Sequence, residues 1–566
     1  MTKRDFLRWL GSSFAVGLAP GLPGGPRILS SALAADPPDA AAAGGRSTPH
    51  VRIHEWGTFT SLQDMMGQSI GGINVDVEAL PPFVYNDYRA KIRRANSIRA
   101  VFSKAGSDYL GPNRSVTMRL ETPVLYVHGN ADELQPWRLN VSVDFLGGRP
   151  SEFYPWAKVT ANESGEKILQ MSKNSRGTLE WLSLIMSKKA DLPRTDLGVW
   201  LAPRNVDALD LTVSQKVQPN PDPDSPNNDK ALLHETDPRS ERYLFYRGVG
   251  SMQDILKTRM IYNPDAAKDV TESRLNDCTL SVSVAKSELT SAVLDQSANR
   301  TCKIAALWLV NVREDGSMAW KAVPGFSFGK KDVAPAIADE VKDTTVLSDR
   351  STPFCQVTTR FADSDYAVER GDALRVDMRD ALVRDGLNTD EADAMLATWD
   401  AAYFKSSGLR LFYITPKEWA DVVLPLRISL VRDTDVLEGG AAKASSSRRI
   451  SRVTDISRSM IARIELVTPE MKDKLNLVSK ITETEVNDAA QLIHTAVTKD
   501  PSLRAAADSP AYHGPHPYRD IPGLPVPFVA YLDLGRFRDA LLASIMNQNV
   551  NPNYSGAQLL YQLVNS

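Results

Sequence analysis

The sequence predicts a mixed, β-rich fold: N-terminal β-sandwich-like domains, then an α+β region, then a C-terminal helical segment. Three observations carry this. Short aromatic and β-branched runs with alternating polarity fill the first half, as where Val116, Met118 and Leu120 alternate with Thr117, Arg119 and Glu121. From Asp372, apolar residues recur at helical spacing (Leu374, Met378, Ala381, Leu382). Thr468-Pro469-Glu470 then opens a run of helices with a capping hydroxyl followed by proline at the first helical position.

Taken in chain order, residues 1–35 read as a signal peptide of the twin-arginine type. Thr2-Lys3-Arg4-Asp5-Phe6-Leu7-Arg8 resembles that export consensus, with Lys3 in place of the first arginine. The apolar stretch that follows is interrupted by Gly11, Gly17 and Pro20, so it is a poor membrane span, and Ala32-Leu33-Ala34 has the small-x-small pattern of a cleavage site. The mature chain is expected in the periplasm or outside the cell, with no transmembrane segment after signal removal. Residues 36–49, rich in Ala, Gly and Pro, form a flexible linker.

Residues 50–215 carry the first β-sandwich-like pattern. Pro123 marks an edge strand or a bulge in the strand that ends at His128. Leu139, Val141, Val143 and Phe145 share a face, and Gly147-Gly148 reads as the turn of a hairpin returning through Glu152–Trp156. A second β region runs over 240–361. Residues 370–467 are α+β with a helical hairpin, in which Gly386 ends one helix and Asn388 with Glu391 forms the capping box of the next. Residues 468–566 are helical. The polar stretches near 220 and 440 read as loops.

Composition narrows the partners. A formal net charge of -3 with short, scattered basic clusters argues against nucleic acid. Of the three cysteines, Cys278 and Cys302 are placed where they could face each other across a hairpin, and their spacing matches no zinc motif. No phosphate-cradling glycine loop, nucleophile elbow or helical zinc-protease motif is present.

The candidate chemistry lies in the first β pattern. In a strand, Glu55 shares a face with Val51, Ile53 and Phe59, so its carboxylate is buried and demands a cation, a metal or several donors. Glu55 and Glu121 are the candidate acid/base pair. Glu121 also alternates with Arg119, which reads as an ion pair. His54 points away from Glu55, and His128 sits at a strand end next to Gly129-Asn130, expected at the surface. These two histidines are the candidate metal ligands, for a divalent metal. Glu152, Tyr154 and Trp156 on one strand face suit a sugar or polyol, and Arg247 suits an anionic group. His513 and His516 form a close pair in a loop.

His54-Glu-Trp-Gly-Thr-Phe-Thr60, Met118-Arg-Leu-Glu-Thr-Pro-Val-Leu-Tyr126, Glu152-Phe-Tyr-Pro155, Tyr243-Leu-Phe-Tyr-Arg-Gly-Val-Gly250 and Arg463-Ile-Glu-Leu-Val-Thr-Pro-Glu470 together resemble an uncharacterised family of exported bacterial proteins. The resemblance implies a shared fold and export, and no activity. The sequence therefore points first to an exported protein that binds an envelope component, a polymer or a protein partner. The alternative is a metal-assisted hydrolase or oxidoreductase centred on the buried carboxylates.

Overall fold

The strand Val51–Gln63 organises the molecule, because every residue in it except Arg52 is buried. A strand buried on both faces must lie inside a sheet that is itself covered on both sides. The computed structural model describes residues 49–74, 80–86, 114–162, 171–213, 239–262, 278–333, 355–432, 450–507, 515–547 and 555–564. Residues 1–48, which hold the stretch read as an export signal and nearly all of the stretch read as a linker, and the stretches near 220 and 440 lie outside them.

Among the described residues, Val51–Gln63 sits mid-way in a nine-stranded sheet. Met118–Gly129, Leu244–Gly250, Gly148–Tyr154 and Tyr85–Asn86 follow on one side. Ile456–Leu466, Gly408–Ile414, Leu307–Val312 and Met318–Val323 follow on the other. Val51–Gln63 pairs parallel with Ile456–Leu466 and antiparallel with Met118–Gly129. The four segments distinguished in the sequence thus interleave: Val51–Ser566 is one compact unit, and three of the segments contribute strands to this one sheet.

Pro123 lies in the interior of that sheet, at a bulge and not an edge. Pairing shifts between Trp56↔Val124 and Thr58↔Glu121, so Met118–Gly129 carries one residue more than its partner there. The extra residue resets the alternation, and Arg119, Glu121, Val124 and Tyr126 all share the face of Trp56, Thr58 and Thr60. Opposite the bulge sits Gly57, where an added Cβ would lie 2.9 Å from the Pro123 Cα. The Trp-Gly step in the first motif is thereby explained as a close backbone approach.

One face of this sheet meets a second, seven-stranded path: Ile450–Arg452, Leu426–Arg432, Trp137–Leu146, Arg176–Ser187, Asp210–Val213 and Ser240–Glu241, with Lys158–Ala161 also on Arg176–Ser187. Leu139, Val141, Val143 and Phe145 face inward, as their spacing predicts. Between the sheets Phe145 and Trp181 meet the Tyr246 ring at 5.8 and 6.2 Å, and Phe59 packs edge-on against Trp419 at 4.3 Å. The expected hairpin across Gly147-Gly148 does not form. Trp137–Leu146 pairs with Arg176–Ser187 and Leu426–Arg432, while Gly148–Tyr154 joins the larger sheet. Gly147, at φ +84°, hands the chain from one sheet to the other.

The opposite face is covered by helices in two blocks. Arg370–Asp385, Thr389–Thr398 and a π turn at Ala401–Lys405 pack over Trp56, Val124, Tyr126 and Trp308. The C-terminal helices, including Pro469–Val478, Glu483–Lys499 and Arg538–Asn547, pack over Leu62 and Val249. No helix among the described residues is long and apolar enough to cross a membrane. Cys278 and Cys302 belong to two separate small sheets, so they do not face each other across a hairpin and no disulfide joins them.

The capping signals hold at both helix ends where they were read. Gly386 adopts φ +119° at the end of Arg370–Asp385, and Glu391 reaches back to accept the Asn388 N–H at 2.7 Å, as a capping box requires. Thr482 forms a second one with Glu485, its hydroxyl accepting the Glu485 N–H at 3.2 Å. Thr482→Ala is expected to cost about 1 kcal/mol, read as a lower denaturant midpoint with an unchanged slope.

Candidate metal centre

The helix-covered face of the central sheet brings together His54, His128 and Glu391. His54 lies on Val51–Gln63. His128 comes from the end of the neighbouring strand, in register with Arg52 and so diagonal to His54. Glu391 is the third residue of the helix Thr389–Thr398. All three are buried, at 5%, 8% and 0% exposure.

Glu391 bridges the two rings. Its Oε2 lies 2.8 Å from His54 Nδ1, and its Oε1 lies 2.8 Å from His128 Nε2. Oε2 also accepts the Asn388 N–H at 2.7 Å, so the capping box that starts the helix aims the carboxylate at the sheet. Burial alone would raise the Glu391 pKa; the polar contacts with the His128 and His54 rings and the hydrogen bond from the Asn388 N–H outweigh it and bring the carboxyl down to about 2. The ring centroids of the two histidines are 4.8 Å apart.

The second ring nitrogen of His128 sets the chemistry. Its Nδ1 lies 3.1 Å from the backbone carbonyl of Asp207. A carbonyl only accepts, so Nδ1 carries a proton. Asp207 is itself held by its N–H donating to Asp390 Oδ2 at 3.0 Å, which ties this turn to the same helix. A histidine oriented by an Nδ1–H to a backbone carbonyl presents its Nε2 lone pair outward, the usual support for a metal-ligating imidazole. Around it, Tyr126 lies 6.3 Å from the His128 ring and donates its hydroxyl to the Pro203 carbonyl.

His128 is buried, although its place beside Gly129-Asn130 predicts exposure. The turn at Asp207 and the helix bearing Glu391 fold over it, and neither is visible in its sequence neighbours. Glu391 itself is legible in the sequence only as a capping residue; its second oxygen, left over from the cap, is the signal that it can do more.

The other candidates fall in different places. Glu55 lies on the opposite face, between the sheets. It accepts from Arg458 Nε at 2.5 Å and from the Tyr246 hydroxyl, and Arg458 continues to Asp421 Oδ1 at 3.0 Å and the Leu424 carbonyl at 2.9 Å. Burial would lower the Arg458 pKa, but Glu55, Tyr246 and Asp421 together carry it above its ordinary value. Glu55 is thus an ion-paired core carboxylate. Glu121 is on the helix side, near Arg119 (3.3 Å) and Arg536 (3.6 Å), and accepts from Thr60 at 2.9 Å. The two carboxylates point to opposite faces and do not converge.

Glu152 is buried and accepts from the Ser151 hydroxyl. Tyr154 is fully buried, stacked on Tyr85 with Phe83 and Trp200 packed at an angle against it, and Trp156 lies past the end of its strand, so the three do not form one open platform. Arg247 lines a small cleft with Trp200, Tyr243, Phe245 and Trp399. Of the loop pair, His513 lies outside the described residues. Burial and the nearby Arg538 bring His516 down to about 3, and it accepts the Tyr518 N–H at 3.3 Å.

Among the described residues, His54, His128 and Glu391 form the one buried group of this kind that could hold a metal, with their ligand atoms all within 4.8 Å of one another. Compared with family models, curated proteins and solved structures, the chain matches none.

Proposed function

We propose that this chain is an exported metal-binding protein whose centre, His54–His128–Glu391, holds a divalent cation of the zinc class. One observation carries the reading. The Asp207 carbonyl commits the proton of His128 to Nδ1, so Nε2 offers a lone pair to Glu391 Oε1 at 2.8 Å. Two acceptors at that distance repel unless a cation lies between them, and the cation is either a second proton or a metal ion. Two imidazoles and a carboxylate are a donor set that zinc and its neighbours accept.

Spacing supports the ion. Tetrahedral zinc at its usual bond lengths needs ligand atoms about 3.3 Å apart, about half an ångström more than the contacts seen here. Glu391 would swing outward to supply that difference, and the two histidine nitrogens, which lie with it within 4.8 Å, would close on the ion. Two ligands come from the sheet and one from the helical hairpin, so a bound ion would tie these layers together. The binding role that the composition suggests is thereby narrowed to a metal ligand, and the N-terminal export signal supports a periplasmic or extracellular place of work.

The test is elemental analysis of the purified mature chain. One equivalent of metal is expected, falling at least tenfold in His54→Ala, His128→Ala and Glu391→Gln variants that keep the far-ultraviolet circular dichroism of the parent. A parent chain that carries no stoichiometric metal and whose melting temperature ignores both added zinc and a chelator would leave a proton at the centre and overturn the proposal.

A further inference from the structure

The hydrogen bonds around His54, His128 and Glu391 extend one residue upstream of the carboxylate. Asp390 precedes Glu391 in the first turn of the helix Thr389–Thr398, and its two oxygens serve two main chains. Oδ1 accepts the N–H of Glu391 at 3.0 Å, and Oδ2 accepts the N–H of Asp207, also at 3.0 Å. The carbonyl of that same Asp207 lies 3.1 Å from His128 Nδ1. One carboxylate thus joins the backbone of one candidate ligand to the backbone that orients another, across 183 residues of sequence.

The local turn turns this contact into a lever. The Ala208 N–H donates to the Val206 carbonyl at 3.0 Å, which closes a three-residue turn centred on Asp207. Such a ring is stiff, and the N–H and C=O of its central residue lie outside the hydrogen bond that closes it. A grip on the Asp207 N–H therefore fixes the direction of the Asp207 carbonyl. The flanks are anchored separately: Arg242 Nη1 donates to the Val206 carbonyl at 3.2 Å, and the Leu209 N–H donates to the Val127 carbonyl at 2.9 Å. These anchors hold the turn beside the strand that bears His128. Its tilt is set from the helix side, by Asp390.

We propose that Asp390 is a positioning residue of the metal centre, which acts through the Asp207 carbonyl to keep Nε2 of His128, and not Nδ1, turned toward the ion. The inference rests on the reading of His54, His128 and Glu391 as metal ligands. Partners that orient a ligating histidine in this way are typically worth about 10–100-fold in metal affinity. Because Asp390 and Glu391 are neighbours on one helical turn, docking of the helical hairpin on the sheet supplies one ligand and orients a second in the same step.

Asp390→Ala and Asp390→Asn separate geometry from charge. Both remove a negative charge near the ion, and only the amide keeps an oxygen for the Asp207 N–H. Zinc affinity of the purified mature chain, measured by competition with a chromophoric chelator, is expected to fall about tenfold or more in D390A and to stay within about threefold of the parent in D390N. A second readout needs no metal. In nitrogen-15 spectra of the metal-free chain with labelled histidines, His128 is assigned by its loss in His128→Gln. Its Nδ1 should be protonated in the parent and in D390N and lose that character in D390A. Asp390 is exposed, so neither variant removes a core contact, and both should keep the circular dichroism of the parent. Equal zinc affinities in all three chains, equal losses in both variants, or an unchanged Nδ1 signal in D390A would each overturn the role; equal losses would assign the effect to charge. A parent that binds no zinc would sink the metal reading alone, and the histidine spectra would still decide whether Asp390 orients His128.

Discussion

Arg458→Met is expected to lower the unfolding free energy by about 3–5 kcal/mol, because it strands a buried carboxylate. Glu55 is 0% exposed and sits between two sheets, with Arg458 and Tyr246 as its partners. Removing the guanidinium leaves the Tyr246 hydroxyl as the partner shown, and also frees Asp421 and the Leu424 carbonyl of their donor. The paired change Glu55→Leu with Arg458→Met removes both charges and fills the space with apolar groups, so it should recover most of that loss. Denaturant unfolding of the parent, both single variants and the double variant measures this as a cycle. An R458M chain within about 1 kcal/mol of the parent would show that Glu55 is not held by this pair. The proposed metal centre lies on the other face of the sheet, so metal content should be unchanged in the double variant.

Asp254→Asn is expected to act in the opposite direction. Burial raises the Asp254 carboxyl to about 6, against hydrogen bonds from Ser61 and Gln63. Gln63 Nε2 lies 3.3 Å from Asp254 Oδ2. A carboxyl raised in the folded state adds stability that is fully present below its unfolded pKa, near 3.8, and is lost as pH rises through about 6. Above pH 6 the folded chain holds a buried carboxylate, at a cost of about 3 kcal/mol relative to the unfolded state. The amide keeps an acceptor for Gln63 and never ionises. D254N should therefore be more stable than the parent at pH 8 by about 1–3 kcal/mol, with a shallower fall in stability between pH 4 and 6. Asp385, also raised to about 6 by burial, will keep part of the slope. Parent and variant profiles that run parallel across this range would show that Asp254 does not titrate in it.

These residues show where sequence reading succeeds and where it stops. Alternation along Val51–Phe59 is enough to bury Glu55 and to require a positive partner for it. It cannot supply that partner, which is 403 residues away. The same alternation turns His54 to the opposite face, and there too the decisive neighbour is remote: Glu391 is 337 residues along. Asn388 and Glu391 are readable as a capping box, since that motif spans a single helical turn. That the same carboxylate also reaches two histidines follows only once the hairpin is laid on the sheet. The Gly147-Gly148 step gives the same lesson. Leu139, Val141, Val143 and Phe145 state which face is buried, yet the strand's partners are Arg176–Ser187 and Leu426–Arg432 and not the segment that follows it.

By itself, the sequence determined the class of fold, the strand faces, the helix caps and that the regular ladder is interrupted at Pro123, by an edge or a bulge. Each of these depends on residues within a few places of one another, where the pleat, the helical turn and the fixed proline ring impose their own geometry. Only the tertiary structure decided which strands pair, that the first strand lies parallel to one more than 400 residues later, and that His54, His128 and Glu391 meet. Such meetings are settled by the joint burial of whole layers against the entropy of closing long loops, a balance to which no local stretch of chain holds the answer.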